Sequence, residues 1–235
     1  MSVLPSGFNW SFSKLMMFEQ CALRFKFKYV DRVPEPPPKP DNPMERGNRE
    51  HKRLEDYTLG RTSTLNSYEG KATGEFKVVI DEVRSLISIG QGTAEQDWFF
   101  DSDWKPTTRE NVWLWLKLDA FVRDDTSAVA IDYKTGKSVY KAVEHAQQLQ
   151  LYAACLALKY PDIHHIVTEL WYLDEGHVKA NRFSSEEAIR MVDRFDQRAN
   201  AVYTARYFRA NPSKQTCRWC PYGANGNGHC PSAAR

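Results

Sequence analysis

Apolar positions change their spacing along the chain, and the changes mark out its elements. Over residues 10–30, Leu15, Met16, Phe18, Leu23 and Phe27 recur at helical spacing behind Ser11 or Ser13, either of which can accept an N-cap hydrogen bond. The stretch 33–43, VPEPPPKPDNP, is too rich in proline for a helix interior or a central strand and reads as a stiff, extended connector. A second helix is predicted from Pro43 to Gly60, a polar loop over 61–75, and a third helix over 75–90 that ends at Gly90. Beyond it the period drops. Residues 94–100, 112–118, 119–124 and 128–134 are rich in Val, Ile, Trp, Phe and Leu and are broken by Pro and Asp-Asp turn signals. They predict three or four strands, with WLWLKLDAFV and AVAIDYK at the centre. AVEHAQQLQLYAACLALKY predicts a helix stopped by Pro161, and IVTELWYLD another strand. SSEEAIRMVDRFDQRANAVYTARYF predicts a long amphipathic helix opened by a capping box at Ser184 or Ser185. The tail from Pro212 reads as loop. This order of elements predicts a single α/β domain over 1–235, with its core at about 44–210 and two cysteine-bearing ends, 11–32 and 212–231, attached to it.

Composition supports a packed core: 42% of the 235 residues are hydrophobic and 13% aromatic. No apolar stretch approaches the roughly 18 residues of a membrane span, so no membrane partner is expected. The N-terminus lacks a basic segment followed by an apolar one, which leads us to expect a cytosolic setting. The net charge of +2 does not by itself point to a polyanion, but its distribution does more. From Gln197 to the end there are six lysines and arginines and no acid, and a second basic run comprises Arg46, Arg49, Lys52 and Arg53. Such faces track phosphates, or are simply solvated helix surfaces.

The chemistry concentrates on two strand-borne acids and a lysine. Asp119 follows the apolar run WLWLKL, and Asp132 follows AVAI with Lys134 two residues on. Positions two apart in a strand share a face, so Asp132 and Lys134 project together while Tyr133 points away. An acid pair of this kind suits a hard divalent cation, and a lysine beside it can orient a water or neutralise developing charge. A D-x-K triplet alone is common. Two helix segments add to it: His51 and Glu55 are four residues apart, as are Gln148 and Tyr152, so each pair shares one helix face. Five cysteines, an odd number, include Cys217-x-x-Cys220 and Cys230 within fourteen residues, a pattern that favours metal or cluster ligation over disulfides. With His229 they supply a Zn²⁺ site; with a fourth cysteine from elsewhere they supply an iron–sulfur cluster. Cys155, on an apolar helix, reads as core. Tyr203, Tyr207, Phe208 and Trp219 accompany the basic tail, either stacking on unpaired bases or packing the last helix.

These segments, in this order, resemble the RecB-type branch of the PD-(D/E)XK nucleases, which includes helicase-linked nuclease domains, CRISPR-associated adaptation nucleases and stand-alone viral exonucleases. SFSKLMMFEQCALRFKFKYV resembles the family's opening helix, and Gly47 to Glu55 its glycine–histidine–glutamate helix. Asp119 and the run Asp132-Tyr133-Lys134-Thr135-Gly136 resemble its two catalytic strands, and Gln148 to Tyr152 its Q-x-x-x-Y helix. The resemblance spans nearly the whole chain and implies a central mixed sheet flanked by helices. It implies Mg²⁺ or Mn²⁺ on His51, Asp119, Asp132 and the Tyr133 carbonyl, with Lys134 assisting the attacking water and Gln148 and Tyr152 positioning DNA or the site. Glu95 is the candidate for an upstream strand acid. It also implies a [4Fe–4S] cluster on Cys21, Cys217, Cys220 and Cys230 that joins the chain ends. The expected activity is a metal-dependent DNA exonuclease in DNA repair or recombination, in host cytoplasm if viral. A structure- or site-specific endonuclease, or a non-catalytic nucleic-acid-binding module with a zinc site, is the alternative. The sequence holds no P-loop, so unwinding would come from a helicase or recombination partner.

Overall fold

The computed structural model describes residues 3–37, 43–65, 75–136 and 142–233. Much of the predicted connector and of the polar loop over 61–75 lies outside them. The chain opens with α1 (Phe12–Gln20), capped by the Ser11 hydroxyl accepting from the Lys14 N–H. The predicted helix over 10–30 is not continuous. Cys21 adopts an extended backbone, the helix restarts as α2 (Ala22–Phe25), and Lys26–Val30 continue as a π-helical turn. Two helices follow, α3 (Pro43–Thr58) and α4 (Glu75–Ser88), then the strands β1 (Gly92–Phe100), β2 (Leu114–Arg123) and β3 (Ser127–Lys134). The segments 112–118 and 119–124 are thus one strand, because no turn intervenes at Asp119. The turn falls after it, where the Asp124 carboxylate accepts from the N–H groups of Thr126 and Ser127 at 2.9 and 2.7 Å.

Helix α5 (Ala142–Lys159) crosses over to β4 (His165–Tyr172), which lies parallel to β3, as a parallel pair requires. A fifth strand, β5 (His177–Ser184), was not evident in the sequence: it is an edge strand with mostly exposed residues, so it carries little hydrophobic alternation. The sheet order is β1-β2-β3-β4-β5, antiparallel except at β3–β4. The long C-terminal helix is two pieces, α6 (Ser185–Ile189), with Ser184 and Glu187 forming the capping box, and α7 (Val192–Thr204). It stops short of Phe208 because the chain beyond runs extended against the N-terminal helices: the Leu23 N–H donates to the Arg209 carbonyl at 3.2 Å, and Phe208 packs on Phe18 and Phe25. A last short helix, α8 (Lys214–Arg218), interrupts the tail read as loop.

The sheet separates two cores. On one face, Leu54 and Tyr57 of α3 and Ile80 and Val83 of α4 cover Ile131, Tyr133 and Trp171. On the other, α1, α2, α5, α6 and α7 cover Trp98, Leu116, Ala130 and Leu170. Along β2, Leu114, Leu116 and Leu118 belong to the second core, whereas Ala120 and Val122 belong to the first. In an ideal strand all five would share a face. The phase of the strand therefore slips at Asp119. Among the described residues, no helix is long and apolar enough to cross a membrane.

Candidate active site

Three backbone features place the acids. The β2–β3 ladder ends at Ala120 and Ile131, so the next residues separate. At the fork, the Asp119 side chain replaces the ladder: its Oδ2 accepts the Tyr133 N–H at 2.6 Å. Across β1–β2, Glu95 faces Asp119 between the pairs Ala94–Ala120 and Gln96–Leu118 but makes no ladder pair, because its φ is +53°. A left-handed backbone at a residue with a side chain costs about 1–2 kcal/mol. Here it turns the Glu95 carboxylate towards Asp119.

From α3, His51 Nδ1 lies 3.0 Å from Asp119 Oδ1. Ligand atoms of His51, Glu95 and Asp119 all lie within 4.8 Å of one another, and among the described residues this is the group that could hold a metal ion. Two carboxylates and an imidazole make a donor set that suits a hard divalent cation. Burial lowers the His51 pKa, but the hydrogen bond to Asp119 and the charges of Asp119 and Asp132 outweigh it, and the net shift is upward.

Asp132 and Lys134 point to the α5 side of β3, as their spacing requires. Asp132 Oδ1 accepts from Gln148 Nε2 at 3.0 Å and lies 3.1 Å from the Tyr152 hydroxyl. Its Oδ2 is buried, touches the Lys134 ammonium and has no hydrogen-bond donor directed at it. Gln148 ties the cluster together: its Oε1 accepts from Lys134 Nζ at 3.1 Å while its Nε2 donates to Asp132 and to the Tyr152 oxygen at 2.8 Å. Tyr152 also reaches the Lys117 carbonyl at 3.0 Å, an acceptor that the fork leaves free. Burial first, then the charge of Asp119, raises the pKa of Asp132 against the pull of Lys134. Burial and the neighbouring Asp132 and Asp119 hold Tyr152 protonated well above the ordinary tyrosine range.

Asp119, Asp132, Lys134, His51, Glu95, Gln148 and Tyr152 therefore converge on the fork from α3, β1, β2, β3 and α5. Glu55 does not join them; its carboxylate pairs with Lys52 at 3.0 Å and Arg61 at 2.6 Å. Two participants were given no role by the sequence reading. Asp174, after β4, accepts from the Gly136 N–H at 2.7 Å and a forked pair from Arg46, fixing the exit of β3. Lys117 closes on Glu95. No local pattern distinguishes either residue, because their partners lie on other elements.

Cys21, Cys217, Cys220 and Cys230 line one cavity, with Arg24 and Phe27 in its wall. None of the four forms a disulfide, and all are partly exposed. Burial raises the Cys220 pKa against the lowering effect of Arg24 and the Tyr222 backbone. No three of these sulfurs all lie within 4.8 Å of one another. The His229 ring packs edge-on to Phe27 at 4.7 Å and is not in the cavity wall. The glycine-rich insert is a set of hydrogen-bonded turns: the Asn227 N–H donates to the Pro221 carbonyl and the Gly228 N–H to the Gly223 carbonyl. Cys155 is buried in the core. Of the tail aromatics, Tyr203 and Phe208 pack inside, while Tyr207 and Trp219 are 86% and 75% exposed.

A family model described as the PD-(D/E)XK nuclease superfamily matches residues 9–224. No curated protein shows significant similarity. Among solved structures, the crystal structure of SSO0001 aligns at 14% identity over 97% of this chain and 88% of its own, with a TM-score of 0.40.

Proposed function

The chain belongs to the PD-(D/E)XK nuclease superfamily, and from that premise we propose that it is a metal-dependent DNA exonuclease of the RecB-type branch. The observation that carries this reading is the His51–Glu95–Asp119 group beside the Asp132–Lys134 pair at a fork in the sheet. The three donors, with the Asp132 carboxylate and the Tyr133 carbonyl, would hold Mg²⁺ or Mn²⁺. The bound ion lowers the cost of forming hydroxide and neutralises charge on the phosphate.

The chain's own residues do the rest. Lys134, 21% exposed and held by Asp132 and Gln148, presents its ammonium to a water in line with the phosphate. Gln148 and Tyr152 keep the Asp132 carboxylate in one orientation, and Asp119 is fixed by its bonds to Tyr133 N–H and His51. Asp174 holds the strand end that carries Lys134. The acid-free basic tail would follow the DNA backbone.

At the chain ends, Cys21, Cys217, Cys220 and Cys230 would bind a [4Fe–4S] cluster. The cavity that the four cysteines share supports this reading.

The test is degradation of end-labelled linear and closed circular DNA with Mg²⁺ or Mn²⁺, beside Asp119→Ala. We expect ion-dependent loss of linear DNA, intact circles, and a loss of at least about a hundredfold in the variant. Cut circles would make the enzyme an endonuclease, and no ion-dependent cutting of any DNA would leave a binding module. Brown protein carrying iron after anaerobic purification supports the cluster; colourless protein with stoichiometric zinc removes it.

A further inference from the structure

Lys117 stands two residues before Asp119 on β2, just ahead of the point where the phase of the strand slips. Its ammonium closes on Glu95 Oε2, and Glu95 is a member of the metal-binding group with His51 and Asp119. This is not a pair of solvated side chains meeting in water. The Glu95 side chain is 13% exposed and that of Lys117 59%, so a long side chain reaches inward onto a buried acid. Glu95 is presented there by a left-handed backbone that removes it from the β1–β2 ladder. The charges of Asp119 and Asp97 also bear on the ammonium. A divalent cation in the group needs the Glu95 carboxylate that Lys117 holds, and the two positive charges repel each other at that range.

We propose that Lys117 is an internal cation that holds the metal group closed, competes with the divalent ion for Glu95, and on displacement turns to a DNA phosphate beside the site. The inference rests on the metal-dependent reading above. Lys134 cannot take the second role while Asp132 and Gln148 fix it. Lys117 can, because a compact charge on a flexible four-carbon stem at the open rim suits a phosphate.

Calorimetric titration of Mn²⁺ into the protein without DNA tests the competition. Lys117→Gln should bind Mn²⁺ about two- to fivefold tighter, the gain expected when a partly exposed ion pair no longer has to be broken. Lys117→Arg should stay near wild type. DNA binding measured in Ca²⁺ across a salt series tests the release: the slope of log affinity against log salt should fall by about one in Lys117→Gln. Unchanged or weaker Mn²⁺ binding by Lys117→Gln overturns the competition, and an unchanged slope overturns the phosphate contact. If neither wild type nor variant binds Mn²⁺, the metal-dependent reading itself fails. Binding by wild type that the substitution leaves alone removes only the role of Lys117.

Discussion

Asp132 pays for its position: it is a carboxylate with 4% exposure, and the Lys134 ammonium beside it offsets only part of the burial. Burial raises its pKa in the fold, with the Asp119 charge adding to that. For an acid shifted upward, the contribution to stability is present below the unfolded pKa and is lost as pH rises through the folded value. Asparagine imitates the protonated form. Asp132→Asn should therefore raise the melting temperature of the ion-free protein at pH 7 while abolishing DNA cutting. The gain should shrink as pH falls towards the ordinary carboxylate range. A thermal melt series in chelator across pH reads this, and a variant less stable than wild type at pH 7 would show that Lys134 more than compensates the buried charge. The D-x-K spacing is legible in the sequence because alternation in a strand is local. The upward shift is not, since it comes from α5 and β2.

Elements meet at the fork because their regular pairing fails there. The ladder between β2 and β3 ends, Glu95 leaves the ladder between β1 and β2, and the phase of β2 slips, all within two residues of Asp119. A sequence pattern reports the ideal strand and misses these departures. That is why the sequence left the choice between three and four strands open, and why Glu95 was only a candidate. The cysteine loop shows the same limit. It is rich in glycine, yet a Cβ at Gly226 would lie 2.0 Å from the Pro221 carbonyl oxygen. Gly226→Ala should force the loop open and cost about 1–3 kcal/mol, measured by denaturant unfolding. Unchanged stability with an unchanged m-value would mean that the turn is not packed as described.

The whole molecule is closed by its ends. Residues 205–213 run beside α1 and α2, the Tyr222 hydroxyl reaches the Val33 carbonyl at 3.3 Å, and Asn227 donates to the Pro34 carbonyl at 3.0 Å. Phe208 packs on Phe18 and Phe25 and Tyr222 on Phe27, and the four thiols add to this closure if they share a cluster. Crosslinking residues so far apart in the chain limits the unfolded ensemble strongly. Cys230→Ser should leave the sheet folded but expose 205–233 to protease, with early cuts mapped there by mass spectrometry. Equal protection in wild type and variant would show that packing alone holds the tail.

What the sequence determined by itself was local or periodic: the helices α3, α4 and α5, the apolar strands, the Ser184 capping box, the Asp132–Lys134 face and the cysteine spacing. These follow from period and spacing, which neighbouring residues set without help. The tertiary structure decided what depends on partners distant in the chain. It supplied the exposed edge strand β5, the break at Cys21, the end of α7 at Thr204, the Lys117–Glu95 contact and the Asp174 clamp. It also brought His51, Glu95 and Asp119 to within 4.8 Å. Each of these rests on an interaction whose energy is gained only after the chain has folded, so no local pattern has to announce it.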